Sequence, residues 1–328
     1  MSPDFPMPEP IQLQQTRSVH QQRVFKALQY IHHHLDEALD VVQLARIANF
    51  APSHFNVVFR GIVGESVYQH VRRLRLERAG WFLRHTGAPV KEVSLASGFD
   101  SHEAFTRAFR SAFGCSPRTF ARRQTAAPML PAPTDVHYRP DSTLTSYVPI
   151  ADHSKTLAVR LIELPSQRLA CVRHTGPYSS AYLAWAKLLW WAWWQGRLNA
   201  QTCFWGLNYD DETITPEAYQ RYDAAITVEE GFRGDGSVIA QDLEGGLFAV
   251  TTLVGSYAEH ARAWDVFLYQ WLPQSGLALR ALFGLDRYHP GGDGFRRPLQ
   301  ALATALRRVH VDLHIPVGPG PIGRSLLA

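Results

Sequence analysis

Gly98-Phe99-Asp100-Ser101-His102-Glu103-Ala104-Phe105-Thr106-Arg107-Ala108-Phe109-Arg110 decides the fold of the first part of the chain. Gly98 suits a position just past a helix end, where the backbone turns left-handed. Ser101 is placed to cap the helix that follows. Phe105 and Phe109, four residues apart, predict one buried face of that helix, and the opposite face is polar and basic. Before the turn, Val90 to Ser97 has apolar residues at helical spacing. Helix, short turn, helix is the arrangement that lays its second helix in a DNA major groove.

The same pattern occurs upstream. Leu44, Ala48 and Phe50 match Val93, Ser97 and Phe99 at an offset of 49, and Phe55, Phe59, Arg60 and Gly64 match Phe105, Phe109, Arg110 and Gly114 at 50. The first unit therefore reads as a helix over 41–49, a break at Phe50-Ala51-Pro52, and a second helix capped by Ser53. Between the units lies a helical stretch, 65–84, dense in arginine (Arg72, Arg73, Arg75, Arg78, Arg84). A rigid helix there would hold two recognition helices roughly one DNA turn, ~34 Å, apart. The plain reading of its arginines is a solvated helix face.

Charge follows this division. Residues 1–125 carry sixteen Lys and Arg against ten Asp and Glu, whereas 126–328 carry seventeen against nineteen. A positive excess confined to the first part points to a polyanion partner there. The three cysteines form no close pair, so neither a disulfide framework nor a zinc site is expected, and the usage fits a reducing cytoplasm. His32-His33-His34 lie on different helix faces and read as solvated, not as a metal tract. No metal and no cofactor are expected. The longest apolar run, Leu188 to Trp194, is too short to span a bilayer, so no membrane partner is expected.

Residues 1–19 read as a flexible tail, 20–125 as the DNA-binding domain, and 126–155, with five prolines, as a linker. Residues 156–318 form a second domain and 319–328 a tail. Within the second domain Gly176, Tyr178, Trp185 and Leu189 match Gly255, Tyr257, Trp264 and Leu268, all at 79. Each copy reads β-α-β-β: strand 167–175, helix 179–195 and strands near 203–209 and 223–229, then strand 247–254, helix 257–272 and strands near 281–288 and 309–315. The fold class is an all-α double helix-turn-helix domain followed by an α+β domain of duplicated β-α-β-β units with an antiparallel sheet. A ligand would enter the free face or the cleft at the pseudo-two-fold. Trp190, Trp193 and Trp194, at i, i+3 and i+4, read as core in preference to pocket.

Arg75-Leu-Glu-Arg-Ala79, Gly98-Phe99, Phe105-x-Arg107-x-Phe109-Arg110 and Phe113-Gly-x-Ser-Pro117 resemble the DNA-binding domain of the AraC/XylS family. The resemblance implies base reading by Ser53, Asn56 and Val57 in the first recognition helix and by His102, Glu103, Thr106 and Arg107 in the second. Arg60, Arg110 and Arg118 would hold phosphates. Val57 stands where the family often has a longer polar residue, and Ser94 where it usually has alanine.

Arg173-His-Thr-Gly-Pro-Tyr178, Gly206-x-x-Tyr209-Asp-Asp, Arg221-Tyr-Asp223, Glu244-Gly-Gly246, Trp271-Leu-Pro273 and Asp312-x-x-Ile-Pro-Val317 resemble a GyrI-like effector-binding domain. The two resemblances together describe a Rob-type architecture. They imply a transcription regulator that partners double-stranded DNA through two successive major grooves, a small-molecule effector and RNA polymerase, with no need to dimerise. The family's ligand carboxylate falls at Asp286, one methylene shorter than the usual Glu, with Tyr178, Tyr209, Tyr257, Trp264 and Tyr288 as the aromatic lining. A cationic or aromatic effector would suit such a site. The segment 290–308 would cap the pocket. Two other readings remain at this point: a hydrolase using Asp286 with Tyr288 or Tyr209, and an interaction module that takes no ligand.

Overall fold

The computed structural model describes residues 10–99, 101–122, 129–210, 215–280, 284–289 and 309–319. It divides into two compact units, the first of which spans Ile11–Asp152. This unit contains α1 (Pro10–His33), α2 (Val41–Ile47), α3 (Pro52–Val63), α4 (Val67–His85), α5 (Val90–Ala96), α6 (His102–Phe113) and α7 (Pro117–Arg122). The pairs α2–α3 and α5–α6 are the two helix-turn-helix motifs. Left-handed residues break each pair, Asn49 at φ 54° and Gly98 at φ 66°, and Gly64 and Gly114 end α3 and α6 in the same conformation.

Each motif has its own core. Phe55 and Phe59 are fully buried in one, and Phe105 and Phe109 in the other. Helix α4 belongs to both: Val67, Val71 and Leu74 enter the first core, and Leu76, Ala79 and Leu83 the second. Ser66 and Gln69 form a capping box at its start, satisfying two otherwise orphaned backbone amides. One continuous helix thus fixes the two motifs against each other.

Two boundary expectations are corrected. Residues 10–19 are helical, not a tail, and Arg17 of α1 pairs with Asp152 at 3.3 Å and donates to the Ile150 carbonyl at 2.9 Å. Nor are residues 129–152 a free linker, because they lie across the helical unit without forming helix or strand. Val136 and Leu144 are buried in the first core and Leu130 in the second. The Ile150 amide donates to the Ile62 carbonyl, the Tyr147 hydroxyl to the Gln21 carbonyl, and Tyr147 stacks on Phe25. Prolines suit such a strap, since it forms no regular ladder and its internal backbone bonds are confined to turns at Ala132–Asp135 and Arg139–Ser142 and one contact from Val148 to Thr134.

The second unit includes His153–Pro319. Its strands are β1 (Val159–Leu164), β2 (Gln167–Thr175), β3 (Phe204–Asn208), β4 (Arg221–Thr227), β5 (Ile239–Leu243), β6 (Gly246–Gly255), β7 (Leu277–Leu279), β8 (Gly284–Tyr288) and β9 (Val309–Pro319). They form an antiparallel sheet in the order β1-β6-β9-β8-β3-β4-β2-β5, with β7 also paired to β9. The duplication is visible in this order: β6-β9-β8 mirrors β2-β4-β3, and the two copies meet at β8 and β3. Sequence reading missed β1, β5 and β7: Leu164 of β1 and Leu243 of β5 also stand 79 apart and the two strands hold mirrored edges of the sheet, so the repeated unit is one strand longer than β-α-β-β, while β7 has only three residues.

Helix α8 (Tyr182–Trp194) and helix α9 (Tyr257–Asp265) carry the matched tryptophans. The second continues through a π-helical stretch, Val266–Trp271, into Leu272–Gln274. The expectation that Trp190, Trp193 and Trp194 are core is corrected: they are 57%, 50% and 74% exposed, while Trp185, Leu188, Leu189 and Ala192 are buried. Helix α8 is apolar on nearly every side, so two stripes have the same spacing and periodicity alone does not choose between them.

Candidate DNA interface and effector site

Both recognition helices turn their aromatic pairs inward and their polar faces outward. Ser101 accepts from the Ala104 amide at 3.1 Å, as its position predicts. The matching expectation for Ser53 is corrected: α3 starts at Pro52 behind Ala51, whose side chain makes no cap bond. Proline at the first helical position has no amide to satisfy, and its fixed φ suits the start of a helix. The side chain of Ser53 lies outside the described residues. Asn56 and Val57 are half-buried on α3. On α6, His102, Glu103 and Arg107 are exposed and Thr106 is half-buried.

The start of α6 tunes these groups. Glu103's own backbone amide and the Ser101 hydroxyl hold its carboxyl below the ordinary range, so it is ionised and an acceptor at neutral pH. His102 Nδ1 lies 3.3 Å from Ser94 Oγ, and Ser94 Oγ donates to the Lys91 carbonyl at 2.8 Å, so the departure at Ser94 is absorbed within its helix. Arg110 and Arg118 are exposed and Arg60 is half-buried.

The α4 arginines are not one solvated face. Arg73 is buried and bonds Glu65, Glu77 and the Val136 carbonyl. Arg84 stacks over Phe120 at 4.6 Å. Arg75 donates to the carbonyls of Leu35 and Glu37, at 3.0 and 2.6 Å, and its guanidinium fills the space where a Gly98 side chain would stand. Arg72 is exposed. His32 also departs from expectation: it is 2% exposed, not solvated, because the end of α1 turns that residue into the unit's interior. Among the described residues no group of three metal-ligating side chains is assembled, and no helix is long and apolar enough to cross a membrane.

In the second unit Asp286 is buried where β8 and β3 meet, opposite Gly206. Its Oδ1 accepts from His260 Nε2 at 2.9 Å and Trp264 Nε1 at 3.0 Å, and its Oδ2 from Asn208 Nδ2 at 3.0 Å and the Tyr288 hydroxyl at 3.4 Å. Burial pushes its pKa up, but the charge and hydrogen bond of His260, with the Asn208 and Trp264 donors, outweigh that and leave it low. The Tyr222 hydroxyl stands 3.5 Å from that of Tyr288 and accepts from Trp185 Nε1 at 2.9 Å. Burial, then the Asp286 charge, raises the pKa of both tyrosines well above the ordinary value, so both remain donors.

Glycine makes this packing possible. A Cβ on Gly206 would fall on the Tyr222 hydroxyl, and one on Gly284 would fall on the Trp264 ring. Gly206→Ala is expected to expel the Tyr222 ring from its seat at a loss of about 1–3 kcal/mol. Urea unfolding with tryptophan fluorescence checks this, since Trp185 reports the lost hydroxyl contact. A variant as stable as the parent would show that the ring has room to shift.

Residues 44–123 match a family model described as a helix-turn-helix domain, and residues 157–298 one described as a GyrI-like small molecule binding domain. The chain thus carries a region similar to a helix-turn-helix domain followed by a region similar to a GyrI-like small molecule binding domain. Curated relatives include the uncharacterized HTH-type regulators YbfP and YobQ of Bacillus subtilis. YbfP is 32% identical over 110 residues, covering 33% of this chain and 37% of its own, and YobQ 33% over 100 residues, covering 30% and 42%. The right origin-binding protein of Escherichia coli K12 is 32% identical over 89 residues, covering 27% of this chain and 31% of its own. The chain spans less than half the length of the curated relatives it matches.

Within the GyrI-like domain the strand pleat sorts the expected lining residues. Asp286, Tyr288, Trp264 and Tyr257 lie on the helix-covered face with Tyr178, whose hydroxyl donates to the Asp210 carbonyl at 2.9 Å. Tyr209 does not join them. It lies on the opposite face with Leu207 and Trp205, and donates to Asp223 at 2.9 Å beside Arg173. Its grouping with Asp286 is therefore corrected: consecutive strand residues point to opposite sides. The pairing of Asp286 with Tyr209 as acid and base is not assembled. Asp286 with Tyr288 is, but a lowered carboxyl and a raised phenol are each poorly matched to proton transfer near neutrality. Sequence reading missed His260, Asn208, Tyr222 and Trp185 as members. Tyr257, His260 and Trp264, at i, i+3 and i+7, share a helix face and could have revealed the first. The segment 290–308, expected to cap the site, lies outside the described residues.

Proposed function

We propose that this chain is a sequence-specific DNA-binding transcription regulator of the cytoplasm, governed by a small molecule that its GyrI-like domain binds. The observation that carries the reading is the pair of helix-turn-helix motifs built on one shared helix. The nineteen residues of α4 rise about 28 Å, close to the ~34 Å between successive major grooves on one face. One chain then reads both half-sites without dimerising. His102, Glu103, Thr106 and Arg107 read bases through the richer helix, Ser53, Asn56 and Val57 through the other, and Arg60, Arg110 and Arg118 hold phosphates. RNA polymerase is the further partner such a regulator acts on.

At the effector site Asp286 already shares its charge with His260 and three neutral donors, so a cation must displace bonds to reach it. A flat aromatic molecule seated among Trp185, Trp264, Tyr222 and Tyr288 fits better than a strongly cationic one.

The test is selection of bound DNA from a random pool, followed by binding measurements on the selected operator. Arg107→Ala is expected to cost about 1–3 kcal/mol and to relax preference at one base position. Arg110→Ala is expected to weaken all sequences alike and lower the salt dependence. A pool that yields no enriched sequence would sink the reading, and uniform weakening by Arg107→Ala would move that residue to the phosphate group.

A further inference from the structure

A cavity of about 540 Å³ opens between α4 and α6 in the helix-turn-helix domain. Its α4 wall presents Tyr68, Arg72 and Arg75, at i, i+4 and i+7 on one helical face. Its α6 wall presents Arg107 and Ser111, and Gly98 of the preceding turn also lines it. Among the described residues, three guanidinium groups line the cavity and no carboxylate does. Arg75 is held in place by the Leu35 and Glu37 carbonyls. Burial, then the charge of Arg78, draws its pKa below the ordinary guanidinium range, with Asp36 opposing. Crowded, partly buried positive charge of this kind is relieved by an anion. Arg72 and Tyr68 stand exposed at the rim, Tyr68 at 69%, and no described residue bonds the Arg72 side chain.

We propose that this cavity seats a phosphodiester of the DNA backbone, on the stretch that α4 spans between the two recognition helices. Arg72 and Arg75 supply the charge, and the hydroxyls of Tyr68 and Ser111 supply further donors. Charged donors without a carboxylate acceptor match an oxyanion; base edges present donors and acceptors together. Arg107 lines the same cavity, so the seated phosphate lies beside the helix that reads bases, and the phosphate sets that helix's register. The proposal rests on the DNA-binding reading and adds to it a contact from the helix between the motifs, outside both of them.

The experiment uses the full chain and its selected operator, with affinity measured by fluorescence anisotropy from 50 to 200 mM salt. Arg72→Ala is expected to flatten the slope of log K against log salt by about 1, so that affinity falls about 3- to 4-fold less over that range than for the parent. The ranking of operator variants should stay unchanged, and Arg72→Lys should restore the slope. Neutral methylphosphonate placed one linkage at a time between the half-sites should reveal one position that weakens the parent more than it weakens Arg72→Ala, which keeps only Arg75 to pair with that charge. An unchanged slope, a reordered ranking or the absence of such a linkage would overturn the proposal while the DNA-binding reading stands. A chain that selects no DNA would overturn both.

Discussion

Glu65→Ala is expected to lower the stability of the helix-turn-helix domain by about 3–5 kcal/mol, because it strands two buried partners. Glu65 accepts from His70 Nδ1 at 2.7 Å and from Arg73 at 2.5 and 3.2 Å, and all three side chains are almost wholly buried. The network continues. Arg73 reaches Glu77 at 3.3 Å and the Val136 carbonyl at 2.8 Å, and Glu77 accepts from His137 at 3.0 Å and from the Tyr138 amide at 2.8 Å. It therefore ties α4 to the 129–152 strap as well as to itself. Removing the carboxylate leaves the Arg73 charge buried with less compensation, and the expected loss is a large share of the 5–15 kcal/mol typical of a domain. Glu65→Gln keeps an acceptor of the same shape and should lose less. Urea unfolding followed by far-ultraviolet circular dichroism measures both. A loss under about 1 kcal/mol for the alanine variant would mean that water replaces the carboxylate without strain.

The second large effect is with pH. Burial draws His32 down to about 4, helped by the charges of His70, His33, Arg73 and Arg139, and burial draws His20 down to about 4 with His54 and Arg23. A histidine with a depressed folded pKa binds its proton first in the unfolded chain. Its stabilisation is complete above the unfolded value of 6.5 and is lost as pH falls from there toward 4. At pH 5 each of the two is expected to remove on the order of 2 kcal/mol from the helix-turn-helix domain. Glu65 works in the same sense at lower pH: its burial raises the pKa, but the His70 and Arg73 bonds hold it below the ordinary value, so its contribution fades as carboxylates protonate. Neither ring nitrogen of His32 finds a partner among the described residues, so His32→Leu is expected to stabilise at pH 7 by about 1 kcal/mol. The gain should widen at pH 5. Thermal unfolding of the two proteins at pH 5 and 7 decides it, and an equal pH dependence in both would remove His32 from the account.

The corrections to the sequence reading have one origin. Glu65, His70 and Arg73 lie at i, i+5 and i+8, and nothing in that spacing says whether they face water or each other. Placing α4 between two cores decides it. The strap at 129–152 was illegible for the same reason, since irregular backbone has no period and its partners, Gln21 and Gln29 in α1, are more than a hundred residues away. Ser101 could be read as a cap because capping needs only its own helix. Ser53 could not be excluded, because the choice between it and a proline start depends on where the preceding turn delivers the chain.

By itself the sequence determined what local chemistry and repetition determine. Paired phenylalanines at helical spacing, glycines at left-handed turns and offsets of 49, 50 and 79 set two helix-turn-helix motifs and a duplicated β-α-β-β domain. Only the tertiary structure decided which side of each element is inside. It placed Asp286 among four donors at the meeting of β8 and β3 and Tyr209 behind the sheet. It buried Arg73 and left Arg72 at the rim of a cavity, and it exposed Trp190 while burying Trp185. Periodicity fixes that an element has faces. What those faces meet depends on long-range packing, and the charge and hydrogen bonding of each site follow from that.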